Sequence, residues 1–186
     1  MIKLIAVDMD GTFLNSQSKY NEVRFKEIHS KLDEKGIHFV VASGNQYYQL
    51  KDFFTDYDDI DYVAENGALI RNPEKVYTVH SYPTEAVKAI EKFLLDQVPN
   101  LNFLVCGEQA AYGLDILPEK YFKMSSHYYH HLEKIKSFSD IHDKILKFAV
   151  QCPDEKTDYF VQLFKDNLSQ YSDVTSSGHG DIDIIQ

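Results

Sequence analysis

The sequence has 186 residues, enough for one medium-sized domain or two small ones, and its 44% hydrophobic and 26% charged residues are typical of a globular protein. The formal net charge is −10 and there is no basic stripe, which argues against a nucleic-acid partner. The N-terminal apolar run is interrupted by Asp8 and is too short for a signal peptide or a membrane span, so we expect a cytoplasmic protein with no membrane partner.

The first predicted element is a strand that ends at two acidic residues. The apolar run Leu4–Val7 stops at Asp8 and Asp10 and breaks at Gly11, which is typical of a buried parallel strand. Ligands of open α/β sheets bind beyond the carboxyl ends of such strands. Gly11 allows close backbone approach, and Thr12 can brace the turn with its hydroxyl.

Two acids at this spacing suit covalent phosphoryl transfer. One carboxylate attacks phosphorus, while the other protonates the leaving oxygen and later deprotonates the hydrolytic water. Because Asp8 and Asp10 would repel an anionic phosphate, a hard cation with oxygen ligands is required, and Mg²⁺ is the expected one.

A helix and a second strand follow. Apolar residues from Val23 onward recur at near-helical spacing up to Gly36, which predicts an amphipathic crossover helix with a glycine stop. Ile37–Ala42 is a second apolar strand. A right-handed crossover between parallel strands places Ser43 beside Asp8.

Three segments together resemble the haloacid dehalogenase (HAD) superfamily of phosphatases, in particular its Cof-type branch and the bacterial sugar phosphatases that carry a large cap. The segments are Asp8-Met9-Asp10-Gly11-Thr12, Val41-Ala42-Ser43-Gly44-Asn45-Gln46-Tyr47-Tyr48-Gln49-Leu50 and Ala64-Glu65-Asn66-Gly67-Ala68-Leu69. The resemblance extends over essentially the whole chain. It implies an Mg²⁺-dependent phosphomonoesterase that hydrolyses small sugar phosphates through an aspartyl-phosphate intermediate.

The resemblance also implies roles for individual residues. Asp8 is the expected nucleophile, Asp10 the general acid/base, and Asp8 with the carbonyl of Asp10 the metal ligands. The expected phosphate-binding residues are Asp10, Gly11, Thr12, Ser43, Gly44 and Asn45.

Two of these positions need separate comment. In this family a Ser or Thr at the position of Ser43 binds a phosphoryl oxygen, together with amides of the following helix start. The alternative is that Ser43 only caps the helix through Tyr47 and Leu50. Asn45 stands where the wider family commonly has arginine, which leaves open how the site recognises its substrate.

The next part of the chain is predicted to complete a core. Residues 52–61 form an acidic stretch, and a solvated loop is favoured over a calcium loop because the required glycine and terminal glutamate are missing. A third strand over 62–64, a tight turn at Asn66-Gly67 and a hairpin of 68–71 with 76–80 follow.

From Tyr82 and Pro83 onward the pattern changes to an α+β order. We predict an α/β fold, with a partial Rossmann-like HAD core over residues 1–82 and an α+β cap domain over 83–186 that closes over the site, excludes water and selects the substrate. The predicted cap elements are a helix over 84–97, strands over 102–106 and 111–114, a loop or helix over 118–131, a strand over 144–151, a helix over 154–167 and strands over 173–176 and 181–185.

Two cap stretches and the cysteines carry open alternatives. His127 and His131 have the four-residue spacing of a helical zinc site, but packing of the neighbouring aromatics is favoured because no third ligand is in register. Ser177-Gly178-His179-Gly180 is either a loop that brings His179 to a sugar hydroxyl or phosphate, or a plain hairpin loop. Cys106 and Cys152 are expected to be buried reduced thiols, with a disulfide as the alternative.

The family's phosphate-binding lysine and final acidic loop follow the cap in this branch, whereas the sequence stops at Gln186. Gly180-Asp181-Ile182-Asp183 is acidic, but its alternation with isoleucine fits a half-buried strand better than a metal loop. We therefore expect a truncated product or fragment of a longer enzyme, in which the strand Ile5–Val7 is an open apolar edge that favours self-association.

Two other functions remain as alternatives at this stage. The chain can be a catalytically inactive fragment that binds phosphate or a partner. A receiver-type phosphoacceptor domain also places acids after its first strand, but it predicts an aspartate after the third strand, where this chain has Glu65-Asn66-Gly67. The particular sugar cannot be read from the sequence, because the loops of a cap set specificity through their shape.

Overall fold

A computed structural model describes residues 2–186 and divides the chain into two compact units, here called unit 1 (residues up to Val79) and unit 2 (His80–Gln186). Unit 1 contains β1 (Leu4–Val7), α1 (Glu22–Glu34), β2 (His38–Ala42), α2 (Tyr47–Asp52), β3 (Asp61–Ala64), β4 (Leu69–Arg71) and β5 (Val76–Val79). Unit 2 contains α3 (Thr84–Gln97), β6 (Asn102–Gly107), β7 (Ala111–Leu114), α4 (Glu119–Ser125), β8 (Leu132–Ile135), β9 (Ile145–Gln151), α5 (Thr157–Leu168), β10 (Asp173–Gly178) and β11 (Asp181–Ile185).

The five strands of unit 1 lie in the sheet in the same order as in the chain. β1, β2 and β3 are parallel, whereas β4 and β5 continue the sheet as an antiparallel hairpin, as predicted. Parallel strands end at the same edge of a sheet. The residues that follow β1, β2 and β3 are therefore neighbours, and these are Asp8, Ser43 and Glu65.

The predicted crossover helix and its glycine stop are confirmed. The side chain of Asn21 caps α1 by accepting a 2.9 Å hydrogen bond from the amide of Arg24, and Gly36 follows the helix with φ of 62°. The ring of Phe25 packs against Phe13 and Phe39 with centroid distances of 5.3 and 5.0 Å. These contacts fix the turn after β1 against the helix and against β2.

The structure places β1 at one edge of the sheet, paired only with β2 among the described strands. This is the open apolar edge expected for Ile5–Val7, whereas the burial expected from the apolar run alone is not observed. Leu4 is 54% exposed and Ala6 is also exposed. An edge strand has a neighbour on one side only, so its apolar residues can be half-exposed without a change in strand propensity.

Unit 2 is a six-stranded sheet in the order β10-β11-β9-β6-β7-β8, antiparallel except for the parallel pair β7 and β8. Two helices, α3 and α5, pack on this sheet through fully buried side chains. These include Ile90 and Leu94 of α3, Phe164 of α5, Phe148 of β9 and Ile184 of β11. The strands over 102–106, 111–114 and 181–185 lie where they were predicted, whereas β8 was not predicted.

Several further expectations for this part of the chain can be compared with the structure. Cys106 and Cys152 are both buried and neither is in a disulfide, which confirms the buried reduced thiols. The helix α4 ends at Ser125, so His127 and His131 do not lie on a helix and the helical zinc arrangement is wrong. The helix predicted over 154–167 opens with a short 3-10 turn and becomes α-helical at Thr157. In the part of the chain that the structure describes, none of the helices has the length and hydropathy needed to cross a bilayer.

Candidate active site

The turn after β1 presents two acids to solvent around one buried residue. Asp8 and Asp10 are exposed, whereas Met9 between them is fully buried. The turn is closed by the amide of Phe13, which donates to the carbonyl of Asp8 at 3.2 Å. Gly11 has φ of 70°, a left-handed conformation that glycine adopts without steric cost. The sequence Asp-x-Asp-Gly thus folds into a turn that buries its apolar member and exposes both carboxylates.

Thr12 contacts the first of these acids. Its hydroxyl donates a 3.0 Å hydrogen bond to Oδ2 of Asp8. The sequence predicted that this hydroxyl braces the turn, and the structure shows that the braced group is the carboxylate of Asp8. A carboxylate has two oxygens, so Oδ1 of Asp8 can still meet an electrophile or a cation.

Ser43 follows β2 and is held by backbone contacts. Its amide donates to the carbonyl of Val63 at 3.0 Å, and its Oγ accepts a 3.2 Å hydrogen bond from the amide of Asn45. The N-cap of α2 is Gln46, so the alternative in which Ser43 caps this helix is wrong. A hydroxyl that accepts one hydrogen bond can still donate its own proton. An oxygen of a phosphate is an acceptor and can receive that hydrogen bond.

The loop after β2 contacts the turn after β1 through one side chain. Nδ2 of Asn45 donates a 2.7 Å hydrogen bond to Oδ2 of Asp10, a residue 35 positions earlier in the sequence. The two acids therefore have different partners, since Thr12 contacts Asp8 and Asn45 contacts Asp10. This difference gives two chemically identical groups different surroundings.

The residues after β3 complete this edge of the sheet. The sequence predicts a tight turn at Asn66-Gly67 and places these residues in the third segment of the family resemblance, but it assigns them no role in the site. Glu65 is 1% exposed, and both Glu65 and Asn66 have left-handed backbones with φ of 51° and 58°. The amide of Glu65 donates to the carbonyl of Asn45 at 3.1 Å. A Cβ on Gly44 would lie 3.1 Å from Oδ1 of Asn66. Left-handed non-glycine residues cluster at functional sites, but this conformation is visible only in the structure.

Unit 1 alone brings together all the residues that the sequence predicts for the site. These residues are Asp8, Asp10, Gly11, Thr12, Ser43, Gly44 and Asn45, and hydrogen bonds connect the segment from Asp8 to Thr12 with Ser43 and Asn45. His179 belongs to unit 2, where it lies at the tip of the β10–β11 hairpin with φ of 54°. The structure assigns no ligand to any of them, so their roles remain predictions.

Two groups of side chains have the chemistry of metal ligands. Asp8 and Asp10 offer exposed carboxylate oxygens, which fit a hard divalent cation. The second group is His29, Asp33 and Asp59, whose ligand atoms lie within 4.8 Å of one another. There Nδ1 of His29 lies 3.3 Å from Asp33 and Nε2 lies 3.5 Å from Asp59. In this second group each ring nitrogen of His29 already faces a carboxylate.

Three parallel strands with a pair of acids after the first strand are the features expected of the HAD family, and comparison with known proteins tests this expectation. A family model described as haloacid dehalogenase-like hydrolase matches residues 5–186. The chain belongs to this family. The predicted superfamily, the α/β fold class and the assignment as an enzyme of this phosphatase family are thereby confirmed.

Individual relatives extend this result. The chain is 36% identical over 185 residues to the 5-amino-6-(5-phospho-D-ribitylamino)uracil phosphatase YbjI of Escherichia coli K12, a match that covers 99% of this chain and 68% of that protein. The structure of this chain is similar to that of SMU.1108c from Streptococcus mutans UA159. The TM-score is 0.92 and the sequence identity is 35%, and the match covers 100% of this chain and 71% of the other. The HAD subclass IIB sugar phosphatase BT4131 shares the fold, with a TM-score of 0.73 and 15% identity over 98% of this chain and 69% of that chain.

Proposed function

We propose that this chain carries the nucleophile and the general acid/base of an Mg²⁺-dependent phosphatase that hydrolyses small sugar phosphates. The observation that carries the proposal is the pair of exposed carboxylates after β1 with separate partners, Thr12 on Asp8 and Asn45 on Asp10. Nucleophilic catalysis by two acids needs such a division, because one must stay ionised while the other gains and loses a proton. The E. coli relative is named for a phosphoribityl substrate, which supports a phosphorylated sugar or polyol as the substrate class.

The proposed reaction has two steps. Oδ1 of Asp8 attacks phosphorus to form an acyl–phosphate bond, the ester P–O bond breaks, and Asp10 gives its proton to the leaving alkoxide oxygen. A water molecule then attacks the phosphorus, Asp10 takes back a proton from it, and the acyl–phosphate bond breaks. The products are the alcohol and inorganic phosphate, and both carboxyl groups return to their starting state.

The phosphate cradle in this proposal is the loop after β2. The hydroxyl of Ser43 accepts from the amide of Asn45 and can donate its proton to a phosphoryl oxygen. The left-handed Gly11 lets the backbone of the first turn approach the phosphate closely. Thr12 contributes by holding Oδ2 of Asp8 so that Oδ1 faces the substrate.

The divalent metal is the third part of the proposal. HAD phosphatases generally use a divalent cation, and the oxygen donors of Asp8 and Asp10 suit Mg²⁺. The carboxylate of Asp8 and the backbone carbonyl of Asp10 would hold it. When bound, the cation supplies charge compensation between the two acids and the phosphate.

Unit 2 is proposed to act as the cap that selects the substrate. A compact domain with its own core can carry specificity loops without disturbing the catalytic turn. A small-molecule partner rather than a nucleic acid belongs to the same proposal, and the net charge of −10 without a basic stripe supports it. A cytoplasmic location is also part of the proposal.

The direct test is phosphate release by the 186-residue chain with Mg²⁺ across a panel of sugar and polyol phosphates. Asp8→Asn removes the nucleophilic oxygen with little change in shape, so release should fall to the background rate. Asp33→Asn, which alters the carboxylate that contacts His29, is the matched control and should keep activity. If a folded wild-type sample releases no phosphate from any ester, this chain is not by itself a phosphatase.

A further inference from the structure

We propose that Asn45 is a positioning residue for the general acid/base Asp10, so that its amide orients the carboxyl group rather than binding the phosphate. The inference rests on the proposed function, because it gives Asp10 its catalytic task. It differs from the sequence-based expectation, which grouped Asn45 with the phosphate ligands.

The first argument is the contact itself. Nδ2 of Asn45 lies 2.7 Å from Oδ2 of Asp10, at the short end of the range for an N–H···O bond. An exposed carboxylate rotates freely unless a donor fixes its plane. With Oδ2 occupied by Asn45, the oxygen that carries the transferred proton is Oδ1.

The second argument is the chemistry of the two groups in contact. The Nδ2 group of an amide only donates and a carboxylate oxygen only accepts, so the hydrogen bond runs from Asn45 to Asp10 and selects one of the two oxygens of Asp10. The amide adds no charge beside the two acids.

The third argument is that Asn45 is itself held in place. Its amide donates to Oγ of Ser43 and its carbonyl accepts from the amide of Glu65, and the residue is half-buried. Its partners in these two bonds are Ser43 and Glu65, which directly follow the core strands β2 and β3. Catalytic groups work best when their supports are ordered before substrate arrives.

The kinetic test compares Asn45→Ala and Asn45→Leu with the wild type. Both variants lose the donor without adding a charge beside Asp10, and leucine is close to asparagine in size, so loss of side-chain volume and loss of the hydrogen bond are separated. We expect kcat for an alkyl phosphate to fall about 10- to 100-fold, within the range of a general acid's contribution, with KM changed less than about twofold. The loss should be smaller for p-nitrophenyl phosphate, because its leaving group needs less protonation. Asn100→Ala, at an exposed turn of unit 2, is the control.

The opposite pattern would overturn the proposal. If Asn45 binds phosphate, Asn45→Ala should raise KM and weaken inhibition by inorganic phosphate about tenfold or more, equally for both leaving groups. A Ser43→Ala variant shows what loss of a true phosphate ligand looks like in the same assay.

A second measurement does not depend on turnover. The side-chain amide signal of Asn45 in a ¹⁵N–¹H spectrum, assigned by its loss in Asn45→Ala, should shift when Asp10 is changed to alanine. An unshifted signal in a folded Asp10→Ala sample would show that the contact is absent, and the proposal would be wrong whatever the kinetics. Absence of turnover in the wild type would contradict the proposed function alone, and the amide signal would then decide the role of Asn45.

Discussion

The hydroxyl of Thr12 donates a 3.0 Å hydrogen bond to Oδ2 of Asp8, four residues earlier in the same turn. Both residues are exposed, so the contact is not a by-product of core packing. It restrains a carboxylate that would otherwise rotate, and it leaves Oδ1 to act as the nucleophile. The side chain of Thr12 is therefore expected to matter for catalysis more than for stability.

Replacing Thr12 by valine tests this. Valine keeps the branched shape and removes the donor, so kcat for phosphate release should fall about tenfold or more, the value of one hydrogen bond to a charged group. The free energy of unfolding measured in urea should change by less than about 0.5 kcal/mol, as for an exposed site. Thr175→Val, at an exposed position of β10, is the control for both measurements. An unchanged kcat would show that Asp8 needs no such restraint.

Metal removal should abolish activity reversibly. EDTA is expected to stop phosphate release and Mg²⁺ to restore it, whereas Ca²⁺ should restore it poorly because it prefers longer and less regular coordination. Calorimetric Mg²⁺ binding should be lost in Asp8→Asn and retained in Asp33→Asn. If Mg²⁺ binding is instead lost in Asp33→Asn and retained in Asp8→Asn, the cation binds at the group of His29, Asp33 and Asp59.

Gly180 is expected to be intolerant of any side chain. A Cβ at this position would lie 2.1 Å from the carbonyl oxygen of Cys152, and the residue has φ of 81°. Gly178→Ala is the matched control, because Gly178 has φ of 90° in the same hairpin but nothing within 4 Å of the added atom. Both variants lose about 1 to 2 kcal/mol for the left-handed backbone. Gly180→Ala should be clearly less stable than Gly178→Ala in urea unfolding, and equal stability would contradict the clash.

Stability should depend on pH through Asp181. Burial, and then the charge of Asp183, raise the pKa of Asp181 above its ordinary value of 3.8. A carboxyl group with a raised folded pKa stabilises the fold when protonated and loses that contribution as the pH rises through its folded pKa. Asp181→Asn should therefore be more stable than the wild type at neutral pH, with the difference shrinking as the pH falls toward 3.8.

Asp183→Asn provides the contrast on the same strand. Asp183 lies 3.4 Å from Nζ of Lys147, whose side chain is 3% exposed. Asp183→Asn removes the carboxylate that faces this buried ammonium group, so this variant should be less stable at neutral pH. Urea titrations of both variants at several pH values measure the two effects. If both variants change the free energy of unfolding in the same direction at neutral pH, the two aspartates do not differ in this way.

Local patterns were sufficient to predict much of the fold. β1, α3, β7 and β11 have the predicted bounds because their apolar periodicities are regular and their ends carry proline, glycine or acidic residues. β8 was missed because its sequence, Leu-Glu-Lys-Ile, has two charges between the apolar residues and does not alternate. It is a strand only because β7 offers a free edge in parallel register.

The candidate site, like the fold, could be predicted from the sequence only in part. Asp8, Asp10 and Ser43 could be predicted because Asp8 and Ser43 directly follow apolar strands and Asp10 lies two residues beyond Asp8. The contact between Asn45 and Asp10 could not, since it joins residues 35 positions apart and depends on side-chain direction. The alternative in which Ser43 caps the helix was wrong for a related reason, because the chain continues through Gly44 and Asn45 before α2 begins after its N-cap Gln46.

The different strand orders of the two units bear on how the chain folds during synthesis. In unit 1 each new strand pairs with the one made just before it, so its sheet can grow from β1 to β5 as the chain leaves the ribosome. In unit 2 the strand β6 pairs with β9, which begins 38 residues after β6 ends at Gly107. Non-local pairing of this kind is slow. We therefore expect the apolar residues of β6 to remain uncovered in the nascent chain for longer than those of the strands of unit 1.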